Sequence, residues 1–459
     1  MWTGFQTRLF QPVDGASLAV FRMLFGAVII YEAWRYDSRN WVEAKFLFPS
    51  FRFSYQGFEW VEPLPPYAMV WLVKLLAIFA FLVMVGLFYR VAIIGLFTLF
   101  SYIFLLDKAQ YLNHFYFTIL LAFLMVFVPA NRVWSFDQMR ARSALPDHVP
   151  AWSMWLMRGQ MEVMLIWAGI VKLNADWLAG LPLHDWLSSS ADDFPAFIER
   201  FFLDADFGVF AAWAVAILHV AGAPLLLVPR LRLFVFAVYT TFHLFNHFLW
   251  SIGIFPWLTI AGTLLFFDFS WPRRLLAGFR ANAGPVIPEG QPYKVNSAIV
   301  ILVVAWLASQ AALPLRPYIY DGNVAWNEQG HRFSWRMKLR DKEGTIKFRV
   351  VDPDTGKSWA VHTQDFLTYR QERKMVARPD MILEFAHHLR DHWKRVHALR
   401  APQVFVRSFV SVNGRPYERF IDETTDLAAV ERTFIAQDAW IRPYSEDKPS
   451  TRVIAEGEP

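Results

Sequence analysis

Nine mainly apolar stretches, at roughly 17–36, 67–88, 91–106, 111–129, 152–173, 208–228, 231–250, 252–268 and 296–315, dominate this chain up to residue 315. A helix needs about 20 such residues to cross the hydrocarbon of a bilayer, and in lipid only helices and closed barrels satisfy their own backbone. The stretches have the length of helices. They predict about nine spans, with the third and eighth short enough to be re-entrant or tilted into a neighbour. Composition agrees: 55% of the 459 residues are hydrophobic and 19% are charged, against about a quarter charged in ordinary soluble domains.

The loops provide an internal check. Arg8, Arg90, Arg132, Arg140, Arg142, Arg230, Arg232, Arg273, Arg274, Arg280 and Lys294 fall on the side of the N-terminus, whereas the opposite loops carry Arg35, Arg39, Lys45, Arg52, Lys108 and Arg200. The positive-inside rule then puts the N-terminus in the cytoplasm. Nine spans carry the C-terminal part to the outer side, together with an acidic loop holding Asp176, Asp185, Asp192, Asp193, Asp204 and Asp206. No small-residue cleavage site precedes the first span, so it reads as uncleaved. The net charge of +5 is not gathered into a basic, aromatic-interleaved run, which argues against a nucleic-acid partner. The chain has no cysteine, which excludes disulfides, thiolate metal sites and a cysteine nucleophile.

Beyond Pro314 and Pro317 the pattern changes. Residues 333–339, 345–351 and 404–412 alternate like strands, Asn413-Gly414 is a turn signal, and an amphipathic helix is expected over about 380–399. The expected architecture is a polytopic α-helical membrane domain over 1–315, followed by an extracytoplasmic α+β domain rich in β-strands over 316–459. The stretch 284–292 reads as a cytoplasmic linker before the last span.

Ionisable groups inside spans are costly, so each is a functional suspect. The fifth span carries Arg158, Glu162 and Lys172. Burial of a lysine in apolar surroundings favours the neutral amine, which can serve as a general base; the plainer reading is snorkelling or an ion pair with Asp176. Arg158 and Glu162 stand four apart on one helix face and read as a structural ion pair, while Gln160 points elsewhere, toward a neighbouring helix. Asn113-His114 opens the fourth span. In the seventh, His243, Asn246 and His247 share a face, but two histidines and an amide without a carboxylate make polar pairing in a wet cavity a better reading than a metal site. No phosphate-cradling glycine loop, G-x-S-x-G or H-E-x-x-H is present.

The stretch LFYRVAIIGLFTLFSYIFLLDKAQYLNHFYFTILLAFLMVFVPANRVWSFD resembles the core of the vitamin K-dependent gamma-glutamyl carboxylases. So do RGQ at 158–160, AGIVKLNADWLAG at 168–180, FHLFNHFLWSIGIFPW at 242–257, FSWRMKLR at 333–340 and PQVFVRSFVSVNGRPYERFID at 402–422. The resemblance implies that a lysine base deprotonates vitamin K hydroquinone (reduced menaquinone or phylloquinone) and that the anion reacts with O2. The oxygenated product removes the γ-proton of a substrate glutamate, CO2 traps the carbanion, and the quinone leaves as its epoxide. Lys172 matches the family's catalytic lysine, and Asn113 and His114 match its Asn-His pair. His243, with Asn246, Arg158 and Gln160, would sit on the cofactor side; Arg407, Asn413 and Trp335 would meet a glutamate-containing protein or peptide. Departures exist: the animal enzymes have two lysines where this chain has Val171-Lys172, and an acidic residue where it has Asn174. Absence of cysteine and the direct topology point to a bacterial inner membrane. Two other readings remain open at this stage: a quinol epoxidase without carboxylation, and a non-enzymatic membrane transporter or scaffold.

Overall fold

The computed structural model describes residues 2–141, 146–250, 252–278, 291–432 and 439–445. All of the 284–292 stretch before residue 291 lies outside the described residues. Each of the nine apolar stretches is helical: α1 (Ala16–Ser38), α2 (Pro66–Val85), α3 (Tyr89–Leu105), α4 (Asn113–Phe127), α5 (Ala151–Ile170), α6 (Ala205–Ile217), α7 (Arg232–Trp250), α8 (Phe255–Thr263) and α9 (Ser297–Ala312). Helix length and hydropathy together support fewer spans than the expected count of about nine. Among the described residues five helices are long and apolar enough to cross a membrane: α1, α2, Ala205–Leu225 beginning as α6, α7, and Ser297–Ile319 beginning as α9. Helices α3, α4 and α8 are apolar but shorter, and the 20-residue α5 carries Arg158 and Glu162.

Helix ends follow local chemistry. Pro66 opens α2, where its missing N–H would be unpaired anyway. Gly86 ends it at φ 67°, and a Cβ there would lie 2.5 Å from Ser135 Cβ and 2.6 Å from Arg22 Nη1, so no larger residue fits. Arg22, fully buried on α1, bonds to carbonyls rather than to a carboxylate: Nη1 donates to Ala130 at 2.9 Å and Nη2 to Trp134 at 2.6 Å.

The C-terminal part contains β1 (Lys342–Val351), β2 (Ser358–Val361), β3 (Gln403–Val412) and β4 (Glu418–Arg419), antiparallel in the order β2-β1-β3-β4. Phe348 pairs with Val406, and the amphipathic α11 (Pro379–Val396), which follows the short α10 (Tyr369–Met375), covers this face through Phe385. Asn413 and Gly414 both take positive φ at the expected turn. The 333–339 segment is not a strand. Phe333, Trp335 and Lys338 have φ of 64°, 55° and 45°, and Trp335 is buried against Tyr116 and Phe117 of α4. Insertion of one large aromatic between the two parts overrides the alternation that suggested a strand.

The turn before α4 latches the parts together. Lys108 Nζ pairs with Glu384 at 2.6 Å and Asp380 at 2.9 Å on α11, and Gln371 of α10 donates to Asp107 at 3.1 Å. Burial raises the Asp107 carboxyl to about 6 despite backbone N–H donors at Ala109 and Phe53. These contacts set the C-terminal part over the ends of α4 and α5, where the site lies.

Candidate active site

A cavity of about 2000 Å3 lies where the helix ends meet the C-terminal part, and Lys172, Asn113, His114, His219 and Asn246 all line it. Lys172 follows the end of α5. Its side chain is buried and Nζ donates to the Ala168 carbonyl at 2.8 Å, with the Trp177 ring 5.1 Å away. Neither plain reading of this lysine holds. It does not snorkel, and Asp176 is engaged elsewhere: Arg415 grips both its oxygens at 2.6 and 2.8 Å and Asn413 Nδ2 donates at 2.7 Å. Among the described residues no carboxylate stands within ion-pair distance of Lys172, so the site offers no counter-charge to hold an ammonium.

Asn113 is fixed at the start of α4. Its oxygen accepts from the Tyr111 hydroxyl at 2.9 Å and its amide donates to the Arg336 carbonyl at 3.3 Å. The next residue, His114, packs edge-on against Phe115. Its Nε2 borders Gly253, which takes φ 70°; a Cβ there would come within 3.4 Å of that nitrogen and 3.0 Å of Arg35 Nη1. Glycine at 253 thus keeps the imidazole open to the cavity.

Sequence reasoning passed over His219. It sits on the π-helical turn Leu218–Gly222 after α6, pressed against Gly169, where a Cβ would lie 2.8 Å from His219 Cβ. Its Nδ1 donates to the Val215 carbonyl at 2.8 Å, so in the neutral ring Nε2 carries the lone pair. Tyr239 and Phe242 hold the ring edge-on. A histidine inside an apolar span was the available signal.

Other expected site residues lie off the cavity wall. His243 is buried against Tyr239, Phe242 and Phe255 with neither ring nitrogen bonded. Among the described residues no three His, Asp or Glu side chains converge as a metal set. Arg158 does not pair with Glu162. The short 3-10 turn after α8 leaves carbonyls without helical partners, and Arg158 collects them at Leu265 (2.7 Å) and Phe267 (2.8 Å) while covering the Phe269 ring; both Glu162 oxygens are left buried without a hydrogen-bond partner. Gln160 accepts from Trp306 of α9 at 2.9 Å, a helix–helix contact away from the cavity. Trp335 and Asn413 serve the junction described above. Arg407 faces outward, its side chain 63% exposed and 3.6 Å from Glu423.

The C-terminal part instead presents Arg336, Lys338, Arg370, Arg373, Lys374 and Arg378 to the cavity. Among the described residues the wall's only carboxylates are Glu32, Glu43 and Asp341. Arg340 and Lys342 are matched by Glu328, whose carboxyl they hold far below its usual range against the opposing effect of burial. Among the described residues Lys374 has no such partner: burial, then Arg378 and Arg370, lower it to about 7. Lys45, stacked 3.5 Å over Trp41, is lowered to about 7 by burial and Arg370. An excess of cations over anions around one cavity favours an acidic ligand. The density of Arg and Lys in YRQERKMVAR at 369–378 was legible in the sequence.

The two halves of the chain match two known domains: residues 10–271 the HTTM domain, and residues 295–447 the lumenal domain of vitamin K-dependent gamma-carboxylases. The chain belongs to the vitamin K-dependent gamma-carboxylase family. No solved structure matches it. The apolar helices together with the lumenal-domain match make it a membrane protein with an extracytoplasmic part. The side chains around the cavity fit a quinol: Lys172 and His219, each bonded to a backbone carbonyl and neither to a carboxylate among the described residues, border it, and apolar side chains of α6 and α7 line it.

Proposed function

We propose that this protein is a vitamin K-dependent gamma-glutamyl carboxylase, coupling epoxidation of a reduced menaquinone or phylloquinone to carboxylation of glutamate in a protein or peptide. The observation that carries the reading is Lys172: an enclosed amine without a counter-charge, on the wall of a cavity it shares with His114 and a cationic rim. Reduced vitamin K supplies, with O2, a base stronger than any side chain offers at neutral pH. Lys172 acts first, accepting a hydroxyl proton from the quinol, and its enclosure keeps water from competing. His114 serves the carboxylation half. Its imidazole lies at the cavity wall 6.2 Å from the Phe255 ring and shares Gly253 as a neighbour with Arg35, where it can orient the glutamate or hand over a proton.

The rim takes the part first assigned to Arg407, Asn413 and Trp335. Lys374, Arg378 and Arg336 attract the substrate carboxylate and stabilise the second carboxylate added to it. Residues 1–315 form the membrane part and 316–459 the outward-facing substrate part, with the N-terminus in the cytoplasm of a bacterial cell and the chain in the inner membrane.

The test is direct. Full-length protein in lipid, given vitamin K hydroquinone, O2, bicarbonate and a glutamate-containing peptide, is expected to yield epoxide and carboxyglutamate. Lys172→Ala should abolish both, with partial return on adding a small amine. Wild-type protein that forms no epoxide refutes the reading; epoxide without carboxyglutamate reduces it to an epoxidase.

A further inference from the structure

The cavity is open on its membrane side. Along α7 its wall is made by Phe234, Ala237, Val238, Thr241 and Phe245, spaced three and four apart and therefore one stripe of the helix. Phe210, Ala211, Ala214 and Val215 make a second stripe on α6. Several of these residues line the cavity and yet face outward: Phe210 is 67% exposed, Phe234 70%, Val238 37% and Phe245 40%. A side chain does both only where a cavity breaks through the surface. Both helices belong to segments apolar and long enough to cross a membrane, so the break faces acyl chains.

The opening is a slot rather than a hole. From Phe234 to Asn246 the helix rises about 18 Å at 1.5 Å per residue, more than half of a hydrocarbon core about 30 Å thick. Its upper end reaches Asn246, His219 and Lys172, which line the same cavity; its lower end stops beside Arg232, which donates to the Leu226 carbonyl. Alanines at 211, 214 and 237 keep the two stripes slim. One end is polar and the rest is apolar, so the slot suits a ligand with a polar ring and a long hydrocarbon chain. Lipid tails are as apolar as the slot, so a chain gains little affinity by leaving the bilayer for it. What the slot provides is a route and an orientation.

We propose that the slot between α6 and α7 admits the polyisoprenoid chain of a membrane quinol sideways from the bilayer and holds it there while the ring lies at Lys172. This rests on the quinol chemistry proposed above and adds the path and the chain-binding surface. The experiment uses full-length protein in liposomes and compares a long-chain menaquinol with a chainless naphthohydroquinone as substrates for epoxide formation. Ala214→Trp and Val238→Trp narrow the slot. The expected result is a kcat/KM at least about tenfold lower for the long-chain quinol, with a clearly smaller loss for the chainless one. Equal losses for the two, or none for either, overturn the slot. Wild-type protein inactive toward both instead refutes the quinol chemistry. A second measurement keeps the two apart without turnover: a quinone carrying a photoreactive group on its chain should label residues within 205–250, with labelling competed by long-chain quinone. Labelling confined to other helices overturns the proposal.

Discussion

Replacing Asp176 by alanine tests how the outer part holds the turn that follows Lys172. The carboxylate stands four residues after Lys172, but its partners come from the turn after β3: two contacts from Arg415 and one from Asn413, all between 2.6 and 2.8 Å. Hydrogen bonds to charged groups contribute about 1.5–3 kcal/mol each. Three sharing one carboxylate do not add, and with Asp176 23% and Arg415 14% exposed screening discounts them further. The expected loss of stability for Asp176→Ala is therefore about 2–3 kcal/mol, with a coupling of about 1.5 kcal/mol in the Asp176/Arg415 double-mutant cycle. Heat denaturation in lipid nanodiscs, followed by tryptophan fluorescence, reads both quantities. The parallel cycle of Asp176 with Lys172 should give a coupling near zero, because no ion pair joins them. Coupling to Lys172 as large as that to Arg415 would restore the plain ion-pair account of the lysine and refute its role as a free amine.

Three further outcomes follow from the same geometry. His219→Ala should lower epoxide formation at least about tenfold while His219→Asn, which keeps a polar group on the turn, loses less; equal loss in both with normal quinone binding would leave His219 a packing residue. The acidic-peptide KM should be flat below pH 7 and rise above it. Lys374, lowered to about 7 by burial and neighbouring arginines, loses its charge there, whereas a bound carboxylate favours the ammonium; Lys374→Met should remove the rise. The same depression means the folded chain binds fewer protons than the unfolded one between pH 7 and the ordinary lysine range, so this group makes stability increase with pH across that window. His114→Ala should depress carboxylation more than epoxidation, and equal loss of the two products would contradict the division between Lys172 and His114.

The helices were legible because their signal is local. Runs of apolar residues, Pro66 at one helix start and Gly86 at its end all act within a few residues, and each predicted segment is helical. That a segment is a helix was more legible than that it crosses the bilayer, because hydropathy reports apolar surface without saying whether protein or lipid covers it. Helix α5 shows the difference, because Arg158 finds carbonyls from the turn after α8, a partner more than 100 residues away that no helical periodicity reveals. The 333–339 error has the same origin, since the Trp335 position is set by Tyr116 and Phe117 across the junction. The site divides along this line too. Lys172 and His114 stood out as polar residues in apolar runs, and so should His219 have done. The cationic rim could be seen only as composition, because Arg336 and Lys374 become neighbours of the cavity through the latch of Lys108 on Glu384 and Asp380. Under the proposed function that latch matters at a distance from the chemistry: Glu384→Ala leaves every cavity residue in the sequence, yet it removes a partner of Lys108 that holds the cationic surface over the cavity.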